Sequence, residues 1–312
     1  MMASPQSEAV TNLYATFSET FAENPDWSPA QQTALWEGWK VLTAEPEAVE
    51  YAEVDADGLN ALWAIPEHAQ SDRVLFCLHG GGFVGGSIYT HRKLFAHLAK
   101  AIGARALSID YTLVPDGGAY PVPLDEALTA YRWLIGQGVN ASHIAVAGDS
   151  AAASLALAMQ LRARDQGLAL PAATLLMSPW VDFEVIGETM QSNAAKEALF
   201  TPEQIKQLAD GYRGEASPRD PYIDPLYADL TGLPPIYIQV GDQEVLLDDS
   251  RRLANRARQA GVEVRLDIFP EMQHTFQMMA GRAPEADDAI SRFAEWARPK
   301  LRLGARQTLR AA

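Results

Sequence analysis

The stretch AVAGDSAAAS, residues 145–154, joins an apolar run to an alanine-rich one through Gly148, Asp149, Ser150, Ala151 and Ala152. A short apolar run bounded by small residues reads as a buried strand, and the alanines after it are strong helix formers. A serine on so sharp a strand-to-helix turn presents its hydroxyl above the sheet, provided the residues two before and two after it are small. Gly148 and Ala152 meet that condition. Taken alone, the pentapeptide reads equally well as a helix with a serine N-cap, so the surrounding pattern has to decide.

Working outward, β-rich runs at 51–56, 61–65 and 73–79 are each bounded by Gly, Pro, Asn or Asp. Strands and helices then alternate. A helix over 92–102 leads to a strand at 104–111, one over 124–135 to a strand at 143–149, and one over 151–164 to a strand at 173–179. Parallel strands need crossovers, so this rhythm predicts an α/β fold whose mostly parallel sheet carries helices on both faces. The rhythm breaks over 182–227, where helix-like stretches give way to the turn-rich SPRDPYIDP, and a strand at 234–241 restores it. The break is expected to be an insertion above the carboxyl edge of the sheet. A helix over 249–259, a strand at 263–269 and a helix over 285–297 close the pattern. Two helical patterns, 7–21 and 29–41, precede every strand, with Leu13, Phe17, Phe21, Trp36 and Trp39 among their apolar positions. The expected organisation is therefore N-terminal helices over 1–44 and a domain over 45–312, interrupted by an insertion at 182–227 after the sixth strand.

The 312 residues, 48% of them hydrophobic, suffice for one substantial core. With 25 Lys and Arg against 40 Asp and Glu the net charge is −15, which repels phosphate backbones and anionic surfaces. Nucleic acid and stable membrane association are not expected as partners. Cys77 is the chain's one cysteine; it can form no internal disulfide, and within the apolar run 74–78 it reads as a small core residue. The N-terminus lacks a basic segment followed by an apolar one, and no stretch nears ~18 consecutive apolar residues, so a cytoplasmic protein is expected. Residues 298–312 carry five basic side chains and no acidic one and read as a solvated, frayed tail. No His or Cys cluster stands at ligand spacing, so no metal is expected.

A second signal is His79-Gly80-Gly81-Gly82-Phe83 directly after a strand, with Gly85 and Gly86 close behind. Acyl transfer generates an oxyanion, and a glycine-rich loop lets backbone N–H groups converge on it. A phosphate-cradling loop would need a following GK[ST] or a GxGxxG spacing, and neither is present. Among six histidines, positions 68, 91, 97 and 143 are expected at the surface. His274, in PEMQHTF after the last strand, stands where a fold of this kind places a general base in the order serine, acid, histidine.

These residues carry a resemblance. The chain resembles the hormone-sensitive lipase family of α/β-hydrolases, in its bacterial branch, through HGGGF at 79–83, DYTLVPDGGAYPVPLDEALTAYRWL at 110–134, GDSA at 148–151, GDQEVLLDDS at 241–250 and HTF from His274. The likeness runs from about Leu75 to the final helix. It implies an eight-stranded, mostly parallel sheet capped by the N-terminal helices and the insertion. It also implies cofactor-free hydrolysis of short- to medium-chain acyl esters, with Ser150 as nucleophile, His274 as base and the amides of Gly81, Gly82 and Ala151 as oxyanion hole. The family's GDSAGG appears here as GDSAAA, and its acidic-His-Pro-Phe-Pro turn as Pro115-Asp116-Gly117-Gly118-Ala119-Tyr120-Pro121, which reshapes a loop without removing a catalytic atom. Laid on the family pattern, the triad acid falls on Glu244, with Leu246 and Asp248 following it, although Asp242 is the family's usual residue type. His79 is expected to be scaffold.

A lactone hydrolase would use the same groups and is a competing reading. A non-catalytic ligand receptor is another, because plant gibberellin receptors resemble this family but have lost the histidine that His274 supplies here. Phe83 and Phe276 are the expected substrate-binding residues, with Phe17, Phe21 and Trp36 as further pocket candidates. If the strand order follows the resemblance, the last strand, 263–269, lies at a sheet edge, and a homodimer is expected along it because an exposed edge invites pairing.

Overall fold

The computed structural model describes residues 3–24 and 26–304. Its strands β1 (Val49–Asp55), β2 (Asn60–Pro66), β3 (Val74–Leu78), β4 (Arg105–Ile109), β5 (Ile144–Asp149), β6 (Ala173–Met177), β7 (Ile236–Gly241) and β8 (Val264–Phe269) form one sheet in the order β1-β2-β4-β3-β5-β6-β7-β8. The β1/β2 and β2/β4 pairs are antiparallel, and every later pair is parallel. Leu78 at the end of β3 stands opposite Ile109 on one side and Gly148 on the other. The loops after β3, β5, β6 and β7 therefore leave the sheet at one edge, where open α/β sheets build their sites.

The central strands are buried on both faces, which is why their sequences are continuous aliphatic runs rather than alternating ones. Within β3, Val74, Phe76 and Leu78 enter a core shared with α4 (Val122–Gly136), α5 (Ala151–Asp165) and α8 (Leu247–Gln259). Leu75 and Cys77 enter the opposite core, with α3 (Ile88–Ile102) and α9 (Pro284–Lys300). The alanines of α5 leave almost its whole length buried.

Among the boundaries that differ from expectation, two change the packing near the glycine loop. Helix α3 starts at Ile88, four residues before position 92, because Ser87 Oγ accepts the Thr90 N–H while Thr90 Oγ1 accepts the Ser87 N–H. The helix expected over 29–41 divides into α2 (Pro29–Trp36) and a tighter 3₁₀ turn, Glu37–Val41. There Gly38 lets the Phe17 ring approach to 3.0 Å of the space a β-carbon would fill. The expected frayed tail is corrected in its first part: α9 runs to Lys300, Arg298 donates to the carbonyls of Ile102 and Gly304, and Arg73 donates to that of Leu301. Residues 305–312 lie outside the described residues.

Helix α1 (Glu8–Glu23) precedes the sheet, and between β6 and β7 the chain forms α6 (Thr189–Ser192) and α7 (Pro202–Arg213). These regions meet: Ser18 Oγ bonds the carbonyls of Ala198 and Leu199, and the rings of Trp36 and Phe200 lie 6.0 Å apart. Among the described residues no helix is long and apolar enough to cross a membrane.

Candidate active site

β5 ends at Asp149 and α5 begins at Ala151, so Ser150 alone makes the turn, with φ 53° and ψ −124°. That conformation costs a non-glycine residue free energy and persists only where the surroundings impose it. The elbow is tight enough that a β-carbon at Gly148 would stand 2.5 Å from the Ala152 carbonyl oxygen. The Ser150 N–H donates to Met177 O at 2.9 Å, which ties the elbow to β6.

Ser150 Oγ lies 2.9 Å from His274 Nε2, and His274 Nδ1 lies 3.0 Å from Glu244 Oε2. All three residues are buried. Glu244 Oε1 accepts the Gly241 N–H at 2.6 Å and the Ser178 hydroxyl at 2.7 Å, so the carboxylate spends its acceptor capacity on three donors. Burial works against the His274 cation, but the hydrogen bond and charge of Glu244, with the charges of Glu197 and Asp149, outweigh it and hold the imidazole above its ordinary pKa. Asp242 does not face the imidazole; its Oδ1 accepts the Glu271 N–H at 2.7 Å and closes the neighbouring turn. The histidine turn is held in the same way: Ser178 Oγ accepts the Thr275 N–H at 2.9 Å, and Tyr14 Oη from α1 lies 2.8 Å from Thr275 Oγ1.

The glycine loop lies against the elbow. Gly81 has φ 123°, and a β-carbon on it would stand 2.0 Å from Gly85 O, so no side chain fits. The Gly80 N–H donates to Asp149 Oδ1 at 2.9 Å, and Asp149 Oδ2 lies 3.3 Å from His91 Nε2. His91 is thus buried beside the site, and its expected surface position is corrected. The cause is the earlier start of α3, which sets His91 on the apolar face with Ile88, Leu94 and Phe95. His79 stacks on Tyr111 with ring centroids 4.3 Å apart, and burial, with the neighbouring His91, lowers its pKa to about 4. His79 Nδ1 lies 2.9 Å from Gly80 O and its own carbonyl accepts the Tyr111 hydroxyl at 2.6 Å, contacts that brace the glycine loop.

Two hollows adjoin the site. One of about 10 Å³ is lined by Ser150, His274, Gly81, His91 and Phe200. The other, about 320 Å³, lies between Phe21 of α1, Gln32 and Trp36 of α2, Val84 of the glycine loop, Phe200, and Gln204 and Leu208 of α7. Phe200 lines both, and its ring centroid is 5.9 Å from that of His274. The candidates Phe21 and Trp36 therefore face a cavity, whereas Phe83, Phe276 and Phe17 are corrected. Phe83 is buried in a stack with Tyr212, Phe276 packs on Phe269 in a separate small core, and Phe17 packs on Trp36 and Trp39. Aromatic side chains bury large areas, and all three found core partners first.

Sequence reasoning missed Ser178, Tyr14, His91 and Phe200 as neighbours of the site. Ser178 was within reach, because it follows β6 at the carboxyl edge, where functional side chains gather. Tyr14 and Phe200 arrive from distant segments and had no local signal.

The family described as alpha/beta hydrolase fold matches residues 75–278. An esterase of Acinetobacter venetianus is 37% identical over 234 residues, covering 75% of this chain and 77% of that protein. An acetyl-hydrolase of Streptomyces hygroscopicus is 39% identical over 230 residues, covering 74% and 76%. The crystal structure of an esterase from the bacterial hormone-sensitive lipase family superposes with a TM-score of 0.91 at 36% identity, covering 96% of this chain and 100% of that one. An elbow serine, a glycine loop and a parallel sheet of this order, together with these likenesses, mean that the chain belongs to the α/β-hydrolase family, in its bacterial hormone-sensitive lipase branch.

Proposed function

We propose that the protein is a carboxylic ester hydrolase in which Ser150 is the nucleophile, His274 the general base and acid, and Glu244 the residue that orients the imidazole. The observation that carries this reading is the unbroken chain Ser150 Oγ, His274 Nε2, His274 Nδ1, Glu244 Oε2, with links of 2.9 and 3.0 Å. Ser150 Oγ attacks the ester carbonyl while His274 takes its proton; the imidazolium then protonates the departing alkoxide, leaving an acyl-enzyme. Water, deprotonated by the same imidazole, releases the acid and regenerates the serine. The amides of Gly81, Gly82 and Ala151 receive the oxyanion. Among the described residues these three amides donate to no protein acceptor, which supports that role.

Residues 1–44 and 182–227 act as the cap. The larger cavity between α1, α2 and α7 takes the bulkier arm of the ester, with Phe200 between it and the serine, while the hollow at Ser150, about the size of one water, leaves little room on its side for a long acyl chain. The likeness to an ethyl acetate hydrolase of Pseudomonas putida, 31% identical over 233 residues, supports a small acyl group. The chain pairs with a second copy along β8, whose strand partner among the described residues is β7 and whose Ile268 is exposed. Initial rates on p-nitrophenyl esters of two to sixteen carbons test the substrate reading. A peak at or below about eight carbons is expected, and a peak at sixteen overturns it. Light scattering that returns a mass near 34 kDa at micromolar concentration overturns the dimer.

A further inference from the structure

The segment between β6 and β7 does more than cover the sheet edge: it is stitched to both turns that carry the acid and the base. Asn193 Nδ2 donates to the carbonyls of Asp242 and Glu244 at 2.9 and 2.8 Å, on either side of the acid turn. Gln273, which precedes His274, donates through Nε2 to Lys196 O at 2.8 Å and accepts the Ala198 N–H through Oε1 at 3.1 Å. Between those two bonds stands Glu197. Its own carboxylate accepts the Leu199 N–H at 2.9 Å and the N–H of Val245, the residue after Glu244, at 3.2 Å. One side chain thus joins the neighbour of the triad acid to a backbone held by the neighbour of the triad base.

This arrangement places a second carboxylate beside the His274–Glu244 pair, and the triad chemistry leaves it unused. We infer that Glu197 is a positioning residue for the hydrolytic reaction: it keeps the Glu244 and His274 turns in register, and its negative charge adds to that of Glu244 in favouring the imidazolium that forms when Ser150 attacks. The inference rests on the Ser150–His274 reading above. Burial, joined by the Glu244 charge, raises the Glu197 carboxyl, while the charge of His274 and the two amide donors oppose that rise. Other groups face His274: Glu244 from the turn after β7, Asp149 and Ser150 from the end of β5, His91 from α3, and Tyr14 of α1 through Thr275. A substitution at 197 changes none of these side chains chemically, although the Glu197 charge also acts on Tyr14, and the charges of Glu197 and Glu244 act on each other.

The base must be neutral to accept the serine proton, so kcat/KM falls as pH drops through the His274 pKa. Removing the Glu197 charge lowers that pKa and moves the acid limb to lower pH. For Glu197→Gln, with p-nitrophenyl butyrate followed at the isosbestic wavelength of p-nitrophenol from pH 5 to 9, the acid midpoint is expected to move down by about half a pH unit or more. The loss should fall on kcat, by about 5- to 50-fold, with KM nearly unchanged. Glu197→Asp keeps the charge and shortens the reach, so it should retain the wild-type midpoint while losing part of kcat. An acid limb that stays in place in Glu197→Gln overturns the inference, whatever happens to Tm. If Glu197→Gln does not fold, Glu197→Asp decides alone: a retained midpoint with reduced kcat supports the inference, and a displaced midpoint or an unchanged kcat overturns it. Ser150→Ala, run beside them, separates the two levels. Activity in that variant removes the hydrolase reading itself, whereas an inactive Ser150→Ala with an unmoved limb in Glu197→Gln removes only the role of Glu197.

Discussion

Two groups of buried carboxylates stand near the carboxyl edge of the sheet and are satisfied by different partners. Around Glu244, both oxygens are met by donors, and one of those donors is an imidazole that reaches a serine. Around Arg252, three aspartates hold backbone instead. Asp182 accepts the N–H groups of Glu184, Val185 and Ile186 and pairs with Arg252 at 2.5 Å. Asp249 accepts those of Val181 and Asp182, and Asp224 those of Phe183 and Leu226. Burial, joined by the Asp182 charge, lifts Asp249 well above the ordinary carboxylate range, and burial lifts Asp224 to about 7. The lesson is that burial alone does not make a carboxylate catalytic. What decides is whether one of its oxygens faces a group that can move a proton, or only amides that cannot.

The comparison is tested most severely at the serine. Ser150→Ala should lower kcat on a short ester by about 10³- to 10⁶-fold while leaving the fold intact by circular dichroism, since triad members act as a unit. A variant keeping more than a tenth of wild-type kcat would detach the Glu244 group from any reaction. Next come the two acids of the same turn: Glu244→Ala should cost about 10²- to 10⁴-fold in kcat, and Asp242→Ala much less. The opposite ranking would transfer the orienting role to Asp242.

At the other group the sign of the comparison reverses. Asp182→Ala should leave kcat within about threefold and lower stability by about 3 kcal/mol, because it strands Arg252 and three amides; denaturant titration beside a kinetic assay reads both. A large kcat loss with unchanged stability would erase the distinction between the groups. The acid limb of kcat/KM should have its midpoint above the 6.5 of an ordinary histidine, because Glu244, Glu197 and Asp149 favour the charged ring despite its burial; a midpoint below 6 contradicts that balance.

The smallest effect concerns Asp224. Its folded pKa is raised, so between about 4 and 7 the folded state binds a proton that the unfolded state has released, and stability declines as pH rises through that window. Asp224→Asn removes the titration. Its Tm should therefore gain on the wild type as pH climbs from 4 to 8, and a constant difference across that range would show that the raised pKa is not real.

How legible the site was depended on distance along the chain. Ser150 and the glycine loop announce themselves within a few residues, because a tight elbow and converging amides each demand small side chains in sequence order. Glu244 was reachable by laying the turn after β7 on a family pattern, and the structure brings it, rather than Asp242, to the imidazole. His91 went astray through a helix start misjudged by one turn, since a threonine stood where a capping box usually has Glu or Gln. Phe83 and Phe276 stand beside motifs, where an aromatic ring can line a pocket, yet burial in a core satisfies such a ring equally well.

From the sequence alone came the α/β layering, the parallel sheet, the elbow serine and the glycine loop, consequences of local spacing or of strand and helix periodicity, while the late histidine followed from the order serine, acid, histidine in folds of this kind. Only the tertiary structure could decide that Ser178 and Tyr14 hold the histidine turn, that Phe200 lines both hollows, and that Glu197 lies between the acid and base turns. These contacts join residues separated by between 48 and 261 positions, and nothing in a local window reports such a pairing. It arises only when the strand order brings the ends of β5, β6 and β7 side by side and the helices close over them.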